Sequence, residues 1–184
     1  MAQTVFLYGA RSVPDMLPDA EVLIGIAALG LTVTGFSGLV AVLGRRASGR
    51  WTESEQFQLA QLVEVSLAVT FAAFFPILAG LAAEPAVALP FATAAVAVAH
   101  LVVLLRGVFA GFLRRGPSVA NLPTPLVLFM VLGGLGIIVA SGAASLGFVG
   151  GHAFLIVLNL VWQLMVSAVH FVALLFNTDS LDAT

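Results

Sequence analysis

Five long apolar stretches, separated by short polar segments, account for most of this chain. Nearly charge-free runs lie at about residues 20–44, 56–83, 86–113, 122–147 and 150–177. An α-helix needs about 20 apolar residues to cross the hydrocarbon core of a bilayer, so each run is long enough to cross once. The pattern predicts an all-α fold: one membrane domain of five transmembrane helices, with a short N-terminal segment (1–19) and a C-terminal tail (178–184).

Capping and turn residues mark the boundaries between these runs. Thr52 followed by Glu55 predicts a capping box at the start of the second helix, and Asp19 is placed to cap the first. Pro76 lacks a backbone N–H, so we expect it to kink the second span, which a membrane helix tolerates if neighbours satisfy the freed carbonyl. Residues 147–151 contain three glycines, which predicts a tight turn before the last helix.

The composition excludes a water-soluble fold. Of 184 residues, 61% are hydrophobic and 9% are charged, and the mean hydropathy is +1.13, so membrane lipid is the expected surrounding. The seven basic residues form no polybasic run, and we therefore expect no nucleic-acid partner. The chain has no cysteine and no phosphate-binding, zinc-protease or hydrolase motif. We predict no enzymatic activity, no cofactor and no metal site.

The positions of the arginines predict the orientation. Arg45, Arg46 and Arg50 lie between the first two spans, and Arg114 and Arg115 lie between the third and fourth. Loops rich in basic residues stay on the cytoplasmic side. The sequence therefore predicts an N-terminus outside and a C-terminus inside.

Two oppositely charged residues fall within or beside the predicted spans. If spans two and three form an antiparallel hairpin that turns at Glu84 and Pro85, residues whose numbers sum to about 170 share one depth, and Glu64 and Arg106 do so. We predict that they form a buried ion pair near the cytoplasmic boundary. The pair is either structural, with its side chains reaching the interface, or a cytoplasmic gate or ion-binding element.

Polar residues recur on one face of the last span. At 100° per residue they fall within a sector about 40° wide, with one serine beside it. The members are His152, Asn159, Gln163, Ser167, His170 and Asn177. Such a face must meet protein or water, because an unpaired amide in hydrocarbon is costly. It either binds neighbouring helices within or between subunits, or lines a pore or proton path.

Small residues form faces on two other spans, where they let helix backbones approach closely. They are Gly30, Thr34 and Ser37 on the first span, and Gly133, Gly136, Ala140 and Ala144 on the fourth. These faces pack either within one subunit or between subunits. His100, alone on the third span, is expected to be a hydrogen-bonded core residue.

The segment Gly35-Phe36-Ser37-Gly38-Leu39-Val40-Ala41-Val42-Leu43-Gly44-Arg45-Arg46, followed by Trp51-Thr52, resembles one that recurs in short uncharacterised bacterial multi-span inner-membrane proteins. The segment from Trp162 to Leu175 is similar to their last helix. The resemblance implies location in a bacterial inner membrane and carries no activity.

Our hypothesis from the sequence is a homo-oligomeric channel that conducts a small ion or proton along the polar face of the last helix. The alternative is a non-catalytic accessory or assembly subunit whose polar and small-residue faces bind the helices of a membrane-protein partner.

Overall fold

The computed structural model describes residues 16–48, 52–110 and 122–175. These residues form six α-helices and no strand: α1 (Ala20–Ser48), α2 (Glu53–Ala72), α3 (Phe74–Ala82), α4 (Pro85–Val108), α5 (Thr124–Ser145) and α6 (His152–Leu175). Together α2 and α3 make one span, so five helices are long and apolar enough to cross a membrane. The predictions of an all-α fold and of five such helices are confirmed.

Both predicted helix starts are present. The Thr52 backbone N–H donates to Glu55 Oε2 at 2.7 Å, and the Glu55 backbone N–H donates to Thr52 Oγ1 at 3.2 Å. This reciprocal pair is the predicted capping box of α2. Ahead of α1, Asp19 Oδ1 accepts a bond from the Glu21 backbone N–H at 2.9 Å.

The second span is divided into two helices close to Pro76, the residue at which we expected a kink. α2 ends at Ala72 and α3 begins at Phe74, and between them the Ala73 N–H still donates to the Val69 carbonyl at 3.0 Å. Pro76 has no N–H to give to the Ala72 carbonyl, which lies four residues earlier. The missing bond explains why the helix divides at this point.

The turn between α5 and α6 depends on its glycines. Gly147 and Gly151 have φ angles of 81° and 87°, a region that residues with a Cβ rarely adopt. The Phe148 N–H donates to the Ala143 carbonyl at 2.9 Å, which closes the end of α5. The chain can therefore reverse within six residues and return as α6.

The last helix occupies the centre of the bundle. α6 contacts α1, α2, α4 and α5, and its residues Ile156 and Leu160 pack with Val69 and Val96 in a fully buried core. Many large apolar side chains are instead exposed on the outside of the bundle, as expected for helices that face lipid.

We call the two ends of the bundle outer and inner, after the orientation that the arginines predict. The outer end holds the start of α1, α4 and α6, and the inner end holds the start of α2 and α5. The orientation itself stays a prediction. Arg50, Arg114 and Arg115 lie outside the described residues.

Candidate functional site

The polar face of α6 is buried inside the bundle. The exposed fraction is 9% for His152, 5% for His170, and at most 1% for Asn159, Gln163 and Ser167. The structure thus brings five of the six predicted residues onto one covered surface, and Asn177 lies outside the described residues. α6 packs against α2, α4 and α5, and the face is covered within the single chain.

Near the outer end, the face bonds to α4. His152 Nδ1 lies 3.0 Å from Thr93 Oγ1, whose single hydrogen is donated to the Leu89 carbonyl at 2.8 Å. The Thr93 oxygen must therefore accept, and His152 Nδ1 donates. In the neutral imidazole this leaves Nε2 unprotonated.

At middle depth, Asn159 connects three helices. Its Nδ2 donates to Ser141 Oγ on α5 at 2.7 Å and to the Leu155 carbonyl at 2.9 Å. Its Oδ1 lies 2.8 Å from His100 Nδ1 on α4, so His100 donates. As at His152, the Nε2 of neutral His100 is left as the basic nitrogen. His100, which is 3% exposed, is the hydrogen-bonded core residue that we expected.

Near the inner end, the face bonds to α2. Ser167 Oγ donates to the Leu62 carbonyl at 3.3 Å, and His170 Nδ1 bonds to Gln58 Oε1. An amide oxygen can only accept, so His170 also donates through Nδ1. Two of the three histidines of the chain thus lie on this face and His100 bonds to it from α4, and all three donate through the same nitrogen to a neutral partner.

Two buried polar atoms in this region have no hydrogen-bond partner among the described residues. They are Trp162 Nε1, a donor, and Gln163 Oε1, an acceptor. The other end of the Gln163 amide donates weakly to the Asn159 carbonyl, at 3.4 Å. Most buried polar atoms in proteins are paired, so unpaired ones on two adjacent residues call for an explanation.

A cavity of about 130 Å³ lies beside these atoms, between α2, α4, α5 and α6. Its walls are mostly apolar, and its polar lining side chains include Gln61, His100, Trp162, Gln163 and His170. All of its lining residues belong to the inner half of the bundle or to its middle. A mostly apolar pocket with a few convergent polar groups is the usual form of a small-molecule site.

The ion pair is formed but is not buried. Arg106 Nε lies 2.6 Å from Glu64 Oε1, which places both residues at one depth of the α2–α4 packing. The Arg106 side chain is 69% exposed and that of Glu64 is 28% exposed. The prediction of a buried pair is therefore wrong, because Arg106 is exposed on the outside of the bundle and Glu64 is only half-buried.

The small-residue face of α1 packs within the chain. A Cβ added at Gly30 would lie 2.6 Å from Thr70 Oγ1 and 2.8 Å from the Ser66 carbonyl oxygen on α2. The Thr34 and Ser66 hydroxyl oxygens are 3.0 Å apart. Ser37 is fully buried and donates to the Thr34 carbonyl at 2.7 Å.

The predicted small-residue face of α5 is only partly correct. Gly133 lies against the Trp162 ring, and Ala144 is fully buried. Gly136, however, is exposed, and a Cβ added there would meet no neighbouring element within 4 Å, while Ala140 is half-buried. The buried residues of α5 are Met130, Gly134, Ser141 and Ala144.

The packing face of α5 is thus turned by roughly a quarter of a rotation from the prediction, at about 100° per residue. Polar groups on α4 and α6 determine this rotation. Ser141 must face α6 to bond Asn159, and a Cβ at Gly134 would lie 3.1 Å from His100 Nε2 and 3.3 Å from Trp162 Nε1.

Sequence reasoning missed the partners of the polar face. Thr93 and Ser141 each lie in a largely apolar part of their helix, and Gln58 lies in the polar first half of α2. Their burial marks them as partners of the polar face. Burial depends on how the helices pack, so it could not be read from the sequence. Among the described residues, no group of three or more His, Asp or Glu side chains could hold a metal ion.

No family model matches this chain, and no curated protein or solved structure matches it. The resemblance to bacterial inner-membrane proteins therefore stays a prediction. The five apolar helices are compatible with a polytopic membrane protein.

Proposed function

We propose that this chain is a multi-pass protein of the bacterial inner membrane that conducts protons through the interior of a single five-helix subunit. One observation carries the proposal: all three histidines are buried on or against the polar face of α6, at three different depths. His170 lies about 27 Å further along α6 than His152. His100 lies at the level of its partner Asn159, which is about 10 Å further along α6 than His152. Buried ionisable groups in membrane helices are costly, and they often form proton relays.

The hydrogen bonds suit the three imidazoles to a relay. Each one donates through Nδ1 to a neutral oxygen, on Thr93, Asn159 or Gln58. The Nε2 lone pair can then take a proton from a water on one side and return it to a water on the other. The neutral partners hold each ring in place without binding the transferred proton themselves.

Access to this relay is unequal at its two ends. His170, Gln163 and His100 line the cavity, which lies in the inner half and the middle of the bundle. Between Asn159 and His152, the same face of α6 carries Ile156, which is fully buried against Val96. Ile156 is the apolar barrier of the route, and a short apolar constriction can stop conduction by excluding water.

Our hypothesis from the sequence was a homo-oligomeric channel along the polar face of the last helix, whereas this route lies inside a single subunit. A covered face neither lines a pore between subunits nor docks a partner helix, and the accessory-subunit alternative loses its main support. Proton conduction then needs no particular oligomeric state, and a homo-oligomer would use other surfaces.

The experiment is proton flux into liposomes that contain the purified protein, driven by a potassium diffusion potential and followed with an internal pH dye. The test variant is His100→Gln, because the glutamine amide can still donate to Asn159 Oδ1 but does not take up a proton. We expect its flux to fall at least tenfold. Thr32→Val is the control, since Thr32 is an exposed residue of α1 whose hydroxyl donates to the Ala28 carbonyl of the same helix.

Wild-type flux no greater than that of empty liposomes would refute the proposal. Equal flux in the wild type and in His100→Gln would refute it as well. Circular dichroism and gel filtration of each variant establish that the fold is retained.

A further inference from the structure

One polar side chain that lines the inner cavity belongs to α2 and not to the polar face of α6: Gln61. We propose that the cavity binds a chain of about four water molecules, and that the Gln61 amide holds this chain in place between His170 and His100. The presence of the water does not depend on proton conduction. Its role in carrying protons rests on the proposed function.

The distance between the two inner histidines requires molecules between them. His170 lies about 17 Å further along α6 than Asn159, the partner of His100. A proton passes between oxygen or nitrogen atoms that are hydrogen-bonded, at about 3 Å from one another. The two imidazoles therefore cannot exchange a proton directly, and a chain of water molecules can connect them.

The cavity lies in this gap and has room for the water. Both histidines line it, and its volume of about 130 Å³ accommodates about four water molecules at about 30 Å³ each. The lining also includes Val108, the last residue of α4, and Thr124, the first residue of α5. The cavity thus reaches the inner ends of these two helices, from which water can enter.

The Gln61 amide supplies polar partners in a mostly apolar part of the cavity. A bound water generally makes two to four hydrogen bonds, and Gln61 offers one acceptor oxygen and two donor hydrogens. On α2, Gln61 lies nearly one turn closer to the middle than Gln58, the partner of His170. Gln61 is 6% exposed, and no hydrogen bond joins its side chain to the described part of the chain. An apolar occupant would leave this amide unpaired, which is unfavourable.

Gly107 of α4 makes room for the Gln61 amide. A Cβ added at Gly107 would lie 2.8 Å from Gln61 Oε1, well inside the usual contact distance of about 3.5 Å. Gly107 also lines the cavity. The amide therefore lies against the backbone of α4 at the cavity wall, in space that a larger residue would fill. Gly107 is a positioning residue that acts through Gln61.

The first experiment detects the water by X-ray radiolytic footprinting of the full chain in lipid nanodiscs. Hydroxyl radicals formed from water oxidise nearby methionine side chains, and mass spectrometry measures the product. Met130 lines the cavity and is 7% exposed, whereas Met165 is half-buried and is not among the lining residues. We expect Met130 to be oxidised several-fold faster than Met165, although Met165 is the less buried of the two.

Substitution of Gln61 tests the named side chain. In Gln61→Leu, Met130 oxidation should fall to the rate of Met165, and proton flux into liposomes should fall about tenfold, because a fully apolar wall excludes water. Gln61→Glu has the same length and stays polar, so it should keep the Met130 oxidation and most of the flux. Gln56→Leu, on the exposed side of α2, is the matched control and should behave as the wild type does.

Substitution of Gly107 displaces the amide without removing it. Gly107→Ala should lower Met130 oxidation and flux several-fold, and it should cause no further loss when combined with Gln61→Leu, because both changes act on the same group. Gly136→Ala is the control, since a Cβ added at Gly136 meets no neighbouring element within 4 Å.

The proposal is overturned if Met130 of the wild type is oxidised no faster than Met165, or if Gln61→Leu leaves Met130 oxidation unchanged. It is also overturned if Gln61→Leu conducts as the wild type does. That last result, with flux lost in His100→Gln, would leave the proposed conduction standing. Fast oxidation of Met130 in a protein without proton flux would refute the conduction alone and keep the water site.

Discussion

Two polar elements of this protein, the polar face of α6 and the Glu64–Arg106 pair, differ in where the fold places them. The neutral side chains of the polar face lie inside the bundle, each with a hydrogen-bond partner on a neighbouring helix or on α6 itself. The charged pair lies on the outside, with Arg106 69% exposed. The sequence predicts burial for the pair, and contact with protein or water for the polar face.

The difference follows from the cost of each group. An amide or an imidazole can be fully satisfied by two or three neutral partners in the core. A buried ion pair also has to repay the desolvation of both charges. The fold therefore keeps neutral polar groups in the centre, and its charged pair sits where the side chains can reach the interface.

The largest effect is expected from Asn159→Leu, which removes the centre of the polar face. It leaves His100 Nδ1 and Ser141 Oγ without their partner. We expect the free energy of unfolding to fall by about 2 kcal/mol and proton flux to be lost. Reversible unfolding in mixed micelles measures the first effect, and the liposome assay measures the second.

A double-mutant cycle provides the control for Asn159→Leu. Combining it with His100→Phe removes both partners at once. The double variant should therefore lose less unfolding free energy than the two single variants lose in total, by about 0.6 kcal/mol or more. Additive losses would mean that the bond between these residues does not stabilise the fold, and the comparison with the ion pair would fail.

The ends of the helices and the register of the hairpin could be predicted because they depend on local chemistry. The capping box of Thr52 and Glu55 depends only on residues at the start of α2. The turn at Glu84 and Pro85 determines which residues of α2 and α4 lie at the same depth. The contact of Glu64 with Arg106 follows from this register. Its exposure does not, since exposure depends on how far each helix is rotated about its axis.

The sequence could predict that the polar residues of α6 share one face, but not that this face is buried inside the bundle. Helical periodicity places its members together, whereas their burial depends on α6 being the central helix. The same limit explains α5, where small residues favoured the face of Gly136 but Ser141 determines the rotation through its bond to Asn159. The cavity could not be predicted either, because it is space left between four helices.

An intermediate effect is expected from polar substitution of Ile156, the apolar barrier. Ile156→Ser adds a hydroxyl group that can hold water, and we expect proton flux to rise several-fold as the interior becomes wetter. Ile156→Ala is the matched control, because an apolar cavity of this size stays dry. Both variants should lose about 2–4 kcal/mol of stability. If alanine and serine raise flux equally, the barrier acts through packing and not through water.

The smallest effect is expected from the ion pair. Glu64→Gln and Arg106→Gln should each change the free energy of unfolding by less than about 1 kcal/mol, since exposed pairs contribute little. Proton flux should stay at the wild-type level, because neither residue lines the cavity. We would measure the unfolding free energy in mixed micelles and the proton flux in liposomes for these variants and for Asn159→Leu in parallel. A loss of flux in Glu64→Gln at unchanged stability would instead assign the pair a role as a gate at the inner end, and the conducting route would then have to include the outside of α2.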